Sequence, residues 1–128
     1  MEKRNINTVV NMFLSELFAF RNDVHLAHLN VHGPAAHAAH IALNELYDAI
    51  LEFADELVET YQGQYGLCDL TIRSSNTLVC KDPCQVVEKI IQFVNTNRAC
   101  FIDSHLQNIV DELIASVYKV YYKLENLK

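Results

Sequence analysis

His28-Leu-Asn-Val-His32-Gly33-Pro34-Ala-Ala-His37-Ala-Ala-His40 holds five of the chain's six histidines once His25, three residues ahead of it, is included. Gly33-Pro34 breaks it in two, since glycine tolerates unusual backbone angles and proline suits a first helical turn, where its missing N–H is not needed. On the near side Val9, Val10, Phe13, Leu17, Phe20 and Val24 recur at helical spacing, which predicts a helix from Ile6 to about His28. On the far side Leu43, Leu46, Ile50, Phe53, Ala54, Leu57 and Tyr61 gather on one face of a second helix, from near Pro34 to near Gly63, with Gly63 and Gly66 as its stop. A second helix folding back on the first brings His28 and His40 together.

The rest of the chain extends the same pattern. Residues 64 to 82 read as one long connection. Asp82-Pro83 has the form of an N-cap and first residue of a third helix, with Val86, Val87, Ile90, Ile91 and Val94 as its apolar face. Asn95-Thr-Asn-Arg is weak helix and kinks or ends it. Asp103 or Ser104 opens a fourth helix with the stripe Leu106, Ile109, Val110, Leu113, Ile114, Val117, Tyr121 and Leu124. The expected fold class is all-α, a four-helix bundle; if its second and third helices run parallel, as in ferritin-like folds, the connection between them is the long B–C crossover that such a bundle needs. The 128 residues are read as one domain, 1–128; with 51% apolar residues and only three Gly and two Pro, they suffice for a core built of long helices.

The second helix also carries a polar stripe. Counted from His40 at about 100° per residue, Asn44 falls at about 40°, Asp55 and His37 at about 60°, and Glu59 at about 100°. Imidazole and carboxylate on one stripe are metal-ligand chemistry. The fifteen residues from His40 to Asp55 nevertheless span about 22 Å of axis, so one copy of the helix cannot close a site. A second copy, laid antiparallel across a two-fold axis near Ala49 and Ile50, places residue i opposite residue 99 − i. His40 then faces Glu59 and Asn44 faces Asp55, and the spacing asks for a dimer. Glu45, Asp48, Glu52 and Glu56 form an acidic wall beside the stripe; taken alone, such a wall is a solvated helix face.

Charge and composition narrow the partners. The net charge of −6 is the wrong sign for a protein that neutralises phosphate backbones, so DNA binding is expected to be weak or absent and cations are the expected partners. Met1 to Asn7 contains Lys3 and Arg4 but no signal-peptide core, and no apolar run is long enough to span a bilayer, which leads us to expect a cytoplasmic protein with no membrane role. Among Cys68, Cys80, Cys84 and Cys100 only Cys80-x₃-Cys84 approaches zinc-ligand spacing, and buried or free thiols are the plainer reading. His105 stands alone as a surface residue.

His28-Leu-Asn-Val-His-Gly, the twelve-residue step to His40, Glu45-Leu-Tyr, and Asp55-Glu-Leu-Val-Glu59 together resemble the mini-ferritins, the DNA-binding proteins from starved cells (Dps). The resemblance is strong over about forty residues and loose elsewhere. It implies a ferroxidase site shared between two-fold-related subunits inside a hollow dodecamer that stores ferric oxide. His28 and His40 would come from one subunit and Asp55 and Glu59 from its mate, with Asn44 at the position where relatives carry aspartate. Iron would be the cargo, Fe(II) going to Fe(III) with peroxide or oxygen as oxidant, and protection against oxidative damage the result. Leu29 stands where the family has tryptophan, Asn44 brings a carbonyl without a negative charge, and the lysine-rich N-terminal extension of many members is missing. Two other readings stand beside this one: a Dps-like shell that binds metal without oxidising it, and a helical-bundle zinc enzyme using His25, His28, His37 and His40 of one subunit.

Overall fold

The computed structural model describes residues 6–75 and 82–127. It is all-α, with α1 (Thr8–Asn30), α2 (Ala36–Tyr65), α3 (Pro83–Asn97) and α4 (Ser104–Asn126), a single 3₁₀ turn at Arg98–Cys100, and no β-strand element among the described residues. The helix starts follow local chemistry. Asn7 caps α1, its Oδ1 accepting from the N–H groups of Val9 and Val10 at 3.2 and 3.1 Å. Asp82 caps α3 in the same way, accepting from Cys84 N at 3.0 Å, with Pro83 in the first turn. Between α1 and α2 the chain turns at Gly33, whose φ of 93° is a conformation that side chains disfavour.

One boundary differs from the sequence reading, and α4 opens at Ser104 as read. Gly63 does not stop α2; it lies inside the helix, which ends at Gly66, where φ is 104° and the N–H donates to Gln62 O at 2.9 Å. An exposed glycine costs a long, well-packed helix only about 1 kcal/mol relative to alanine, too little to break it. At α4 the side chain of Asp103 does not cap the helix it precedes. Its carboxylate instead accepts the Tyr65 hydroxyl and the Gln64 amide, tying the end of α2 to the start of α4.

Cross-links of this kind give the directions of the helices. Lys123, near the end of α4, pairs with Glu45, near the start of α2, so these two helices run antiparallel. Tyr121 donates to Glu88 and Asn95 donates to Tyr118, making α3 and α4 antiparallel as well. Ala27 and Val31, at the end of α1, share a cavity of about 300 Å³ with Pro83 and Cys84, at the start of α3. The helices therefore pack in a ring, α1–α2–α4–α3, with every neighbour antiparallel. It follows that α2 and α3 sit at opposite corners and point the same way, and the chain between them has to travel the length of the ring.

Residues 67–75 make part of that journey along α1. Thr71 N donates to Ser15 Oγ at 2.9 Å. Arg73 donates to Glu16 at 2.8 Å and to Asp23 at 2.9 Å, with its guanidinium 5.4 Å from the centre of the Phe20 ring. Ser75 adds a 2.6 Å bond to the other oxygen of Asp23. Asp23 is buried, and these partners give its carboxylate the hydrogen bonds that make a buried charge tolerable.

The core lies inside the ring. Phe13, Leu17 and Val24 meet Leu43, Leu46, Ile50 and Leu57 from α2, Ile90 and Val94 from α3, and Leu106, Leu113 and Val117 from α4, all fully buried. Phe13 packs edge-on against Phe101 at 5.0 Å and also touches Phe93. Val9, read as part of the apolar face of the first helix, is about half exposed, and Leu14 occupies the core instead. No helix among the described residues is long and apolar enough to cross a membrane.

The Tyr65–Asp103 tie gives a pH signature. The hydrogen bond from Tyr65 holds the Asp103 carboxyl below its usual range, and the same bond with Asp103 raises the Tyr65 phenol. A depressed carboxylate contributes stability that is present above its unfolded value and lost as pH falls through its folded one; a raised phenol contributes stability lost only in strong alkali. The melting temperature of Tyr65→Phe should therefore fall below that of the wild type at neutral pH, and the gap should close in acid, as pH falls below the usual aspartate range and through the lowered value of Asp103. Thermal melts followed by circular dichroism from neutral to acid pH would check this.

Candidate metal centre

The α1–α2 turn places His28 and His40 face to face. Their ring centroids are 3.6 Å apart and their planes differ by 22°. Each ring is also held by the other residue's backbone, His28 Nδ1 lying 2.7 Å from His40 O and His40 Nδ1 3.1 Å from His28 O. A carbonyl oxygen can only accept, so in both rings Nδ1 carries the proton that is donated. The neutral ring then keeps its free lone pair on Nε2, the tautomer in which a histidine with one nitrogen tied to a carbonyl is ready to bind a metal through the other. Neither Nε2 has a hydrogen-bond partner among the described residues. His28 is buried and His40 exposed, so the pair spans the boundary between core and surface.

Three further side chains form a stack beside His28: His25, one of the histidines of the one-chain zinc reading, and Tyr47 and Arg21, which sequence reading did not single out. Tyr47 lies edge-on to it at 5.2 Å, His25 stacks on Tyr47 at 4.2 Å with planes 17° apart, and the Arg21 guanidinium sits 5.4 Å from the Tyr47 ring centre. The signal for Tyr47 was present: seven residues after His40, it returns to nearly the same side of α2 after about two turns. Its hydroxyl donates to Asn44 Oδ1 at 2.6 Å, and Asn44 Nδ2 donates to Asp48 Oδ2 at 3.2 Å. The one carbonyl by which Asn44 could coordinate a metal is thus already accepting a hydrogen bond.

Asp55 and Glu59 lie further along α2, both exposed and both without a hydrogen-bond or ion-pair partner among the described residues. The single chain brings His28, His40 and Asn44 to one end of the helix and leaves the two carboxylates beyond the reach of that end. Among the described residues no three His, Cys, Asp or Glu come together as a group able to hold a metal ion. The four-histidine set of a one-chain zinc enzyme is therefore not gathered. His37 is exposed on α2, and His32 turns its Nδ1 to Asn30 O at 3.2 Å.

The acidic wall is on the surface as read, with Glu45, Asp48, Glu52 and Glu56 all exposed. It is interrupted at Glu45, which Lys123 neutralises at 2.6 Å. His105 is exposed and bonds through Nε2 to Gln64 at 2.9 Å. Cys68 is buried in the core, burial pushes the Cys100 thiol up to about 11, and Cys80 lies outside the described residues, so the Cys80–Cys84 spacing has no structural counterpart to report.

Comparison with known proteins adds one finding. No curated protein and no solved structure matches the chain. One family model does, described as a family of unknown function (DUF5856), and its match runs over residues 28–124. The match opens on His28 and takes in His40, Asn44, Asp55, Glu59 and Tyr47, with all of α2 and α3 and most of α4, but only the last three residues of α1. Covering about three quarters of the sequence, it establishes that this chain belongs to the family of unknown function DUF5856.

Proposed function

We propose that the chain is an iron-binding ferroxidase and iron-storage protein of the Dps, or mini-ferritin, type. In this reading it is a ferritin-like four-helix bundle that works as a cytoplasmic homo-oligomer, with a two-fold dimer as its smallest competent unit and a dodecameric shell as its assembly. The observation that carries it is the reciprocal tie of His28 and His40. Two imidazoles, His28 from α1 and His40 from α2, are pre-set with Nδ1 occupied and Nε2 open, and the Asp55 and Glu59 of α2 are exposed and unpaired among the described residues.

Imidazole nitrogen and carboxylate oxygen both suit Fe(II), and the harder carboxylates favour the more highly charged Fe(III) still more, which eases loss of the electron. Iron is the substrate here. Each Fe(II) gives up one electron, peroxide or dioxygen takes it, and the acidic wall holds the ferric product as it condenses. A second copy across the axis near Ala49 and Ile50 would bring Asp55 and Glu59 to the histidine end. It would also cover Leu51, which lies beside that axis at 38% exposure. The net charge of −6 supports weak or absent binding to DNA.

A second reading has its own observation. Asn44 brings no charge and its oxygen accepts from Tyr47, while Leu29, where the mini-ferritins that the sequence resembles have tryptophan, is 63% exposed. Both favour a Dps-like shell that binds metal without oxidising it.

Aerobic addition of Fe(II), followed at the near-ultraviolet absorbance of ferric oxide, separates the two. Ferroxidase activity should raise the rate well above iron in buffer, and Asp55→Ala or Glu59→Ala should return it to the buffer rate with the melting temperature unchanged, since both side chains are exposed and unpaired. A wild-type rate equal to buffer would leave the shell without oxidation. Asn44→Asp is a finer probe. It sets a second carboxylate against Asp48, so the metal-free variant should lose about 0.2–0.5 kcal/mol, while its site fills at lower Fe(II) and oxidises faster. Anaerobic melts with and without Fe(II) should show that order reversing.

A further inference from the structure

Asp48 accepts hydrogen bonds and has none to give as a carboxylate, so the Asn44 atom 3.2 Å from it is the amide nitrogen, and the Asn44 oxygen must face the Tyr47 hydroxyl. Tyr47 and Asp48 between them thus decide which way the Asn44 carboxamide points. Around the α2 axis Tyr47 falls on the His40 side of Asn44 and Asp48 on the other, both about one turn further along, so the oxygen is drawn to the side of the helix that carries His40 and the amide nitrogen to the opposite side. The Tyr47 ring at the same time rests against the edge of His28 and is itself clamped by His25 on α1.

We propose that Tyr47 is a positioning residue for this half of the site. Its hydroxyl sets the Asn44 carbonyl oxygen toward the His28–His40 pair, and its ring holds His28, so that one chain presents two imidazole nitrogens and one carbonyl oxygen before any cation arrives. The role toward a cation rests on the metal-site reading given above; the brace itself does not. A carbonyl oxygen has two lone pairs, and the one left after Tyr47 has donated is available to a divalent ion. Residues that orient metal ligands in this way commonly set affinity without touching the ion.

Two substitutions separate hydroxyl from ring. Tyr47→Phe removes the hydroxyl and keeps the packing; Tyr47→Leu removes both. In the metal-free protein, nitrogen-15 spectra should show the Asn44 side-chain amide shifted and broadened in Tyr47→Phe with the His28 ring unchanged, and both perturbed in Tyr47→Leu. An Asn44 amide unmoved by Tyr47→Phe would overturn the brace, whether or not any metal binds. Calorimetric titration with Co(II) then tests the consequence: Tyr47→Phe and Asn44→Ala should each weaken binding about tenfold, and the double variant should be no weaker than either alone. Additive losses would mean that Tyr47 does not act through Asn44, and would overturn the proposal. Wild-type protein that shows the amide shift but binds no Co(II) would instead sink the metal reading, and with it any role of Tyr47 toward a cation.

Discussion

A helix advances about 1.5 Å per residue, and that fixed rise holds His40 and Asp55 about 22 Å apart on α2 whatever their side chains do. Most of what the molecule can do follows from this separation. The histidine end of α2 is completed from α1, by a turn short enough to put His28 against His40. The carboxylate end has no such neighbour among the described residues. Two incomplete halves on one rigid rod, each with the donor type the other lacks, are what an antiparallel second copy of the same rod would join. A closed two-fold interface is also the commonest way for a soluble chain to assemble.

The fold keeps the rod straight and its polar stripe outside. Leu43, Leu46, Ile50, Ala54 and Leu57 bury one side of α2 against α1 and α4, which leaves His40, Asp55 and Glu59 facing outward. With every neighbour in the ring antiparallel, α2 and α3 point the same way and the connection between them has to run lengthwise. Arg73 fastens it, spanning Glu16 and Asp23 on α1. Truncating Arg73 would take the cation from a buried carboxylate and leave Asp23 to Ser75, a larger cost than losing an exposed ion pair.

Wherever a single chemical rule governed, the sequence could be read. Asn11, Ser15 and Asp23 are polar yet buried, and so fall outside the apolar pattern of α1, but Val10, Phe13, Leu17, Phe20 and Val24 were enough to mark its face. Asp82-Pro83 gave the start of α3 because a cap is a local event. Gly63 misled because an isolated glycine is a small penalty against thirty residues of packed helix, whereas the start of α4 at Asp103-Ser104 was legible although the Asp103 side chain serves Tyr65 rather than a cap. At the candidate site, residue types and their angles around α2 were legible. The reciprocal carbonyl contacts of the two histidines, and the capture of Asn44 by Tyr47, were not, since both depend on distances between side chains that no spacing rule fixes.

Complementation tests most directly whether the two halves of a site come from different chains. His28→Ala and Glu59→Ala are each expected to abolish iron oxidation alone. In a mixed dimer both lesions fall in one of the two shared sites, and the other keeps its native His28, His40, Asp55 and Glu59. Co-refolding the two inactive chains in equal amounts, with mixed dimers verified by native mass spectrometry, should therefore restore oxidation at about half of the sites in each mixed dimer. No recovered activity in a preparation shown to contain mixed dimers would contradict the sharing of ligands across the two-fold axis.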